Sequence, residues 1–232
     1  MMFSELEKVM ASSNGSDNYL ELLNRNITGK KSSSGVVKTA RYLKRLYGFD
    51  IDYSPFAAFE YFWNRSDAEE KPLLTFIYAI NQDSLLAESS EVVQKVVPGH
   101  KVPIESFEEQ IEKFHSNRYS YNTRRSMAQN IASSWKQAGF IEGKVKNIRR
   151  QPKVNYRIAC FAFLLAYLGG DRGDFIWKNA GVKSLCLSET ELRNLAIEAS
   201  QRDFMQYQYG GSVTMISFTN LLNKIGIDGN TN

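Results

Sequence analysis

The sequence predicts a mainly α-helical protein with a central winged helix-turn-helix and a C-terminal helix followed by a β-hairpin. Three observations predict this fold. Apolar residues recur at helical spacing through most of the 232 residues. The stretch 120–153 has the pattern of one helix followed by a short, basic two-stranded ribbon. Near the end of the chain, Gly210 and Gly211 separate two strand-like runs, and a Gly-Gly pair suits the tight turn of a hairpin.

The central helix of the winged unit is expected to begin near Ser120 or Asn122 and to end at Gly139. Ser and Asn side chains accept hydrogen bonds from free backbone N–H groups at a helix start, and Gly tolerates the left-handed conformation at a helix end. At about 100° per residue, one face of this helix is apolar. That face consists of Met127, Ile131, Trp135 and Ala138.

Polar and basic side chains on the rest of this helix and on the ribbon are the candidate nucleic-acid contacts. In the major groove Arg pairs with guanine, and Asn or Gln pairs with adenine. We expect Arg125, Gln129 and Ser133 to reach base edges, and Arg124 to reach only the phosphate backbone. The complete set is Asn122, Arg124, Arg125, Gln129, Ser133 and Lys136 on the helix, with Lys144, Lys146, Arg149, Arg150 and Lys153 on or beside the ribbon.

The positive charge of the chain is concentrated around this unit. The chain has 29 Lys and Arg against 25 Asp and Glu. Residues 113–157 hold 11 of the basic residues and one acid, Glu142, a balance of +10. The other 187 residues hold 18 basic and 24 acidic residues, a balance of −6. Such a local excess of positive charge attracts the phosphates of a nucleic acid, and binding is favoured because counterions bound to those phosphates are released.

The pattern divides the chain into four parts. Residues 1–34 are predicted to hold a short helix and a flexible linker, TGKKSSSG at 28–35, and the first 16 residues are expected to be loosely held. A helical domain follows at 35–115, then the winged-helix recognition helix and wing at 116–157. Residues 158–232 hold the C-terminal helices and the β-hairpin.

Two further surfaces, on the helix predicted at Val36–Tyr47 and on the C-terminal hairpin, are not expected to contact DNA. The helix predicted at Val36–Tyr47 carries Lys38, Arg41, Lys44 and Arg45 on its outer side, which is typical of a solvated face. The C-terminal hairpin has no Lys or Arg between Asp203 and Asn220. Packing or dimerisation is therefore favoured for the hairpin over DNA contact.

Catalysis is not expected, and neither is a cofactor or a metal. The chain has only two cysteines and two histidines, without metal-ligand spacing. Glu142-Gly-Lys144 has the spacing of a restriction-type nuclease motif, but a magnesium site also needs an acid on a neighbouring strand. The nearest upstream acids lie in a predicted helix.

The most apolar run predicts a core helix and no membrane partner. Ile158–Leu168 has 11 residues, whereas a membrane-spanning helix needs about 20. The first residues lack a basic region followed by an apolar run, so we expect no secretion signal. Together with two cysteines in apolar surroundings, these features favour a reduced, cytoplasmic protein.

The order of these segments resembles the BrxA family, accessory proteins of BREX bacterial phage-defence systems. The resemblance covers residues 35–220. Its segments are YSYNTRR at 119–125, SSW at 133–135, AGFI at 138–141, the basic wing, YQYGGSVTM at 207–215, and the upstream Leu73-Leu74 to Ala79 and Leu85-Leu86 to Glu88. It implies a helical, non-enzymatic protein with a winged helix that binds double-stranded DNA. Other subunits of the defence system are then further expected partners.

Two alternative functions stay open at this point. In the first, the basic surface meets an acidic partner subunit, and the protein is a protein–protein adaptor. In the second, the helical protein binds RNA. Salt-dependent binding to duplex DNA distinguishes the adaptor from the DNA-binding protein, and competition between duplex DNA and single-stranded RNA distinguishes the two nucleic acids.

Overall fold

The computed structural model describes residues 1–13, 19–143, 146–211 and 213–227. It confirms the mainly α-helical fold class. The α-helices are α1 (Phe3–Ser13), α2 (Tyr19–Asn24), α3 (Ser33–Tyr47), α4 (Ser54–Trp63), α5 (Lys71–Gln82), α6 (Ser84–Glu88), α7 (Ser90–Gln94), α8 (Ile104–Phe114), α9 (Tyr121–Gln137), α10 (Tyr156–Leu168), α11 (Ala180–Lys183), α12 (Glu189–Gln201) and α13 (Thr219–Ile225). A 3₁₀ helix covers Gly173–Lys178, and the strands are β1 (Ile141–Glu142), β2 (Ile148–Arg149), β3 (Gln206–Gly210) and β4 (Val213–Ser217).

The centre of the protein is formed by α4, α5 and α10, which pack against one another. The apolar run of α10 is buried on nearly all sides, which confirms the predicted core helix. Asn155 caps it by accepting a hydrogen bond from the Ile158 N–H at 3.0 Å. Aromatic rings join the three helices: Phe62 and Phe161 lie 5.2 Å apart, and Phe59 and Tyr78 lie 4.9 Å apart. Edge-to-face and offset ring pairs stabilise such a core beyond the burial of their area.

Residues 3–13 form a packed helix, so the expectation of a loosely held segment at 1–16 is wrong for this part, while residues 14–16 lie outside the described range. Leu6, Val9 and Met10 recur at helical spacing and are buried on one side of α1. Glu5 of this helix pairs with Lys30 at 2.7 Å. Part of the predicted linker also belongs to a helix, since α3 begins at Ser33 with Ser32 as its cap. The short helix predicted within residues 1–34 was expected to begin at Asp17, which lies outside the described residues, and α2 covers Tyr19–Asn24.

The winged unit follows as α8, a turn, α9 and the two strands of the wing. Ile141 pairs with Arg149, and Glu142 pairs with Ile148, in an antiparallel ladder. A third extended segment, 99–102, precedes α8 and runs antiparallel to β2 through Lys101 opposite Ile148. The resulting order of helices and strands is that of a winged helix-turn-helix: extended segment, helix, helix, and two wing strands.

The C-terminal hairpin packs beside α12, which begins with a capping box formed by Ser188 and Glu191. Ser188 accepts from the Glu191 N–H at 3.3 Å, and Glu191 accepts from the Ser188 N–H at 2.7 Å. Gly210 pairs with Val213, so the tight turn lies one residue later than the predicted Gly210-Gly211. Ser212 lies outside the described residues.

The four sequence parts share one hydrophobic core. Buried apolar side chains from Leu6 in α1 to Ile227 after α13 form one contiguous cluster. The winged unit is joined to it through Trp135, which is completely buried. The Trp135 ring lies 4.5 Å from Phe76 of α5 and 5.1 Å from Phe140, and its Nε1–H donates to Ser89 Oγ at 2.8 Å. Trp135 therefore anchors α9 and the start of the wing to the central helices.

We expect Trp135→Ala to lower the free energy of unfolding by about 3–5 kcal/mol, because it removes a buried indole and leaves a cavity. This is a large share of the roughly 5–15 kcal/mol that stabilises a typical domain. Urea denaturation measures it. Trp135→Phe is the control: it keeps a ring against Phe76 and should cost clearly less. An unchanged denaturation midpoint for Trp135→Ala would contradict the anchoring role.

Candidate nucleic-acid interface

The exposed face of α9 is polar and uncharged. Ile131, Trp135 and Ala138 are buried and Met127 is half-buried, so the apolar face points inward as the helical spacing predicted. The exposed residues of α9 include Asn122, Ser126, Gln129, Asn130 and Ser133. These amide and hydroxyl groups are hydrogen-bonding groups that read base edges in a major groove.

Both ends of α9 are set by local sequence. Ser120 Oγ accepts from the Thr123 N–H at 3.3 Å, which confirms the predicted start. Gly139 ends the helix region with φ of +83°, a conformation that favours glycine. A Cβ at Gly139 would also lie 3.3 Å from Pro152 Cβ. The chain can therefore turn from α9 into β1 close to the returning strand.

The two arginines of α9 are engaged by carboxylates of α8. Arg124 pairs with Glu112, and Arg125 Nη1 lies 2.8 Å from Glu108 Oε1. The pKa of Glu112 is lowered by the hydrogen bond from the Asn117 amide, with Arg124 acting in the same direction. Arg125 was predicted to face away from the protein and read bases; instead it leans toward α8. The predicted charge window began at Lys113, in the last turn of α8, and so left out the acids that this helix supplies.

Arg149 is the clearest departure from the predicted interface, because its side chain points into the protein. The residue is only 2% exposed. Nε donates to the Val93 carbonyl oxygen at 3.3 Å, and Nη2 donates to Gln151 Oε1 at 3.0 Å. The guanidinium also lies over the Phe140 ring at 5.2 Å. Side chains alternate along a strand, so the inward position of Arg149 leaves Arg150 outside.

Arg150 is exposed but does not carry a free charge. Its Nε lies 2.6 Å from Glu142 Oε2 on the facing strand. Glu142 is the single acid of the basic stretch, and this pair occupies the carboxylate that the nuclease spacing would require. Within the described ranges, no group of three or more His, Cys, Asp or Glu is placed to hold a metal ion.

Three lysines remain without an ion pair among the residues that the structure describes. Lys146 and Lys153 are exposed on and after the wing, and Lys136 is half-buried in the last turn of α9. None of the described carboxylates lies within 4.0 Å of their amino groups. Lys144 of the predicted interface lies outside the described residues. Among the predicted contact residues that the structure describes, the cations that are not buried and have no ion pair are therefore these lysines and not the arginines of α9.

A second cationic surface lies on α3. Four basic side chains, Lys38, Arg41, Lys44 and Arg45, are exposed on a helix that contains no acid. Arg41 also lies over the Tyr42 ring at 5.4 Å. Charge pairing with described carboxylates is absent for this group, in contrast to the arginines of α9. The sequence signal was the lack of Asp and Glu over 15 residues, which the prediction had interpreted as a solvated face.

Comparison with known proteins identifies no relative of this chain: no family model, no curated protein and no solved structure matches it. Among the described helices, none is long and apolar enough to cross a membrane.

We expect Arg125→Ala to destabilise the fold, because the Glu108 side chain is only 11% exposed and would lose its cationic partner. The expected loss is about 1–3 kcal/mol in the free energy of unfolding, measured by urea denaturation. Arg150→Ala is the matched control. Its pair with Glu142 is exposed on both sides and should be worth less than about 1 kcal/mol. Equal losses for the two variants would contradict a structural role for Arg125.

Proposed function

We propose that the protein binds duplex DNA through its winged helix, without catalysis of its own, as an accessory subunit of a bacterial phage-defence system of the BREX type. The observation that carries the DNA proposal is the uncharged polar face of α9 beside unpaired lysines of the wing. The place in a defence system rests on the sequence resemblance to the BrxA family.

The α9 face has the shape and chemistry of a recognition helix. A major groove admits one α-helix, and its outward side chains then meet base edges. Asn122 and Gln129 carry amides that can pair with adenine, and Ser133 carries a hydroxyl that can donate or accept. All three are exposed on the same side of α9. This arrangement supports base readout by amides and hydroxyls, with little contribution from arginine.

The lysines supply the contacts to phosphate. Lys136, Lys146 and Lys153 have no described ion pair, so their charges are available to a polyanion. The arginines of α9 are partly neutralised by α8, which reduces non-specific attraction at this face. Few phosphate contacts are then made, while polar side chains contact the bases. We therefore expect the affinity for DNA to depend only moderately on the salt concentration.

The two alternative functions have their own supporting features. On the outer face of the C-terminal hairpin, Val213 and Met215 are 67% and 56% exposed, which suits a protein partner and supports the adaptor. The RNA alternative fits a helix less well, because the major groove of an RNA duplex is deep and narrow. Single-stranded RNA stays a competitor to be tested against duplex DNA.

The salt dependence of binding tests the proposed phosphate contacts. If Lys136, Lys146 and Lys153 each neutralise one phosphate, their replacement by Gln should flatten the log–log slope of affinity against salt by about 2.7, at about 0.9 for each contact. Fluorescence anisotropy of a labelled duplex at several salt concentrations measures the slope.

The matched control removes the same charge from α3, as Lys38→Gln, Arg41→Gln and Arg45→Gln together. This variant should keep the wild-type slope. If only the α3 variant flattens it, the phosphate contacts lie on α3 and not on the winged unit. Absence of duplex binding by the wild type at low salt would overturn the proposed function and leave the adaptor.

Base preference tests the proposed readout. Gln129→Ala or Asn122→Ala should reduce the preference between sequences by about 1–3 kcal/mol for each lost base contact. Lys153→Gln should weaken binding to all sequences alike. Competition over a randomised duplex pool measures both effects. A wild-type protein without any preference would exclude base readout by α9.

A further inference from the structure

Arg149 is a buried cation without a counter-charge. Its Nε and Nη2 are hydrogen-bonded to Val93 and Gln151, whereas Nη1 is buried and has no hydrogen-bond partner among the described residues. The two partners are neutral oxygens, and no described carboxylate forms a salt bridge with this guanidinium. Buried charges in proteins are normally paired, because removing an ion from water is costly.

The charge on Arg149 is not relieved by deprotonation or by its neighbour. Burial lowers the pKa of Arg149 from its ordinary value, but a guanidinium stays protonated in proteins. The thiol of Cys186 lies beside it, and burial raises the pKa of that thiol while Arg149 acts in the opposite direction. The Cys186 S–H donates to the Ser184 carbonyl at 3.5 Å, as a neutral thiol does. The guanidinium thus lacks an anionic partner within the described chain.

Arg149 lines a cleft of about 740 Å³ between the winged unit and the C-terminal helices. The loop 96–98 and β2 form one side, and the 3₁₀ helix with the start of α12 forms the other. Lys178 and Lys183 line the same cleft and are exposed. A small molecule that enters it meets one buried and two exposed cations.

The two acids of the cleft are already engaged. Arg193 Nη2 lies 3.0 Å from Asp174 Oδ1 and 2.7 Å from Glu189 Oε1. The pKa of Asp174 is lowered, chiefly by the hydrogen bond from Thr214 and further by Trp177 and Arg193. These two carboxylates share the single positive charge of Arg193, so the three groups together keep a net charge of −1. Arg149, Lys178 and Lys183 add three positive charges, and the cleft remains cationic.

We propose that this cleft binds the oxyanion group of a small molecule, a phosphate or a carboxylate, with Arg149 as its buried cation and Lys178 and Lys183 at its rim. Nη1 is the donor left for such a group, because Nε and Nη2 already donate to Val93 and Gln151, and a charged N–H bonds strongly to either oxyanion. The ligand would contact both the base of the wing and the C-terminal helices. The site does not depend on DNA binding, so it can be tested on the protein alone.

Cys186 provides a local readout of the cleft. It lines the cleft and is half-buried, whereas Cys160, the other thiol, is completely buried. Alkylation of Cys186 by iodoacetamide, followed by peptide mass spectrometry, should be slowed saturably by inorganic phosphate or by acetate. Sodium chloride at the same ionic strength should not slow it. Protection by one oxyanion alone identifies the group that the cleft prefers.

The variants Lys178→Gln and Lys183→Gln should each weaken binding of the protecting anion about twofold to fivefold, the effect of losing one solvent-exposed ionic contact. Both lysines are exposed, so the fold is retained. Lys38→Gln on α3 is the charge-matched control and should leave protection unchanged. The proposal is overturned if neither anion protects Cys186, or if both cleft variants are protected like the wild type. It is also overturned if the alkylation rate shows that Cys186 ionises below neutral pH, because its thiolate would then be the counter-charge.

Discussion

The position of the winged unit depends on the packing of Trp135. Its ring fills the space between Phe76 of α5 and Phe140 at the start of the wing, and its N–H is satisfied by Ser89. A buried indole needs such a partner, because an unpaired N–H in the core is costly. With this side chain in place, α9 can rotate little about its axis. Its uncharged polar face is thereby held toward solvent.

Ion pairs in the folded protein neutralise part of the positive charge that the sequence concentrates in residues 113–157. The basic stretch 113–157 is paired with acids from outside it: Lys113 with Glu91, Arg124 with Glu112, and Arg157 with Glu70. On α3 the basic residues have no such pairs within the described chain. The region richest in basic residues is therefore not the one whose charges are freest. The contribution of the wing lysines to binding a polyanion must therefore be compared directly with that of the basic residues of α3.

At the base of the wing, the backbone and the side chain of Arg149 have separate roles. The Arg149 amide donates to the His100 carbonyl at 2.8 Å, which holds the extended segment 99–102 against β2. The same residue sends its guanidinium inward, between Phe140 and the C-terminal part of the chain. An aliphatic residue would satisfy the strand and the core without burying a charge. A buried cation at the junction of two parts of the protein is better explained by a ligand than by packing.

The sequence by itself determined the elements whose signals are local. Helical spacing identified α9 and its buried face, and Ser120 and Gly139 marked helix ends that the structure confirms. The core helix α10 and the C-terminal hairpin could also be predicted from the sequence, because each depends on a contiguous apolar or strand-like run. The turn of the hairpin was displaced by one residue, since Gly-Gly fits more than one register.

Only the tertiary structure decided which charges are available. The pairing of Arg125 with Glu108 joins residues 17 positions apart on two helices, and no local pattern encodes that contact. The inward direction of Arg149 depends on the register of a strand only two residues long, where a shift by one residue would exchange it with Arg150. The order of α1 likewise depends on a core surface supplied by distant parts of the chain. Local patterns specify helices and their faces, whereas ion pairs and buried charges arise where separate elements meet.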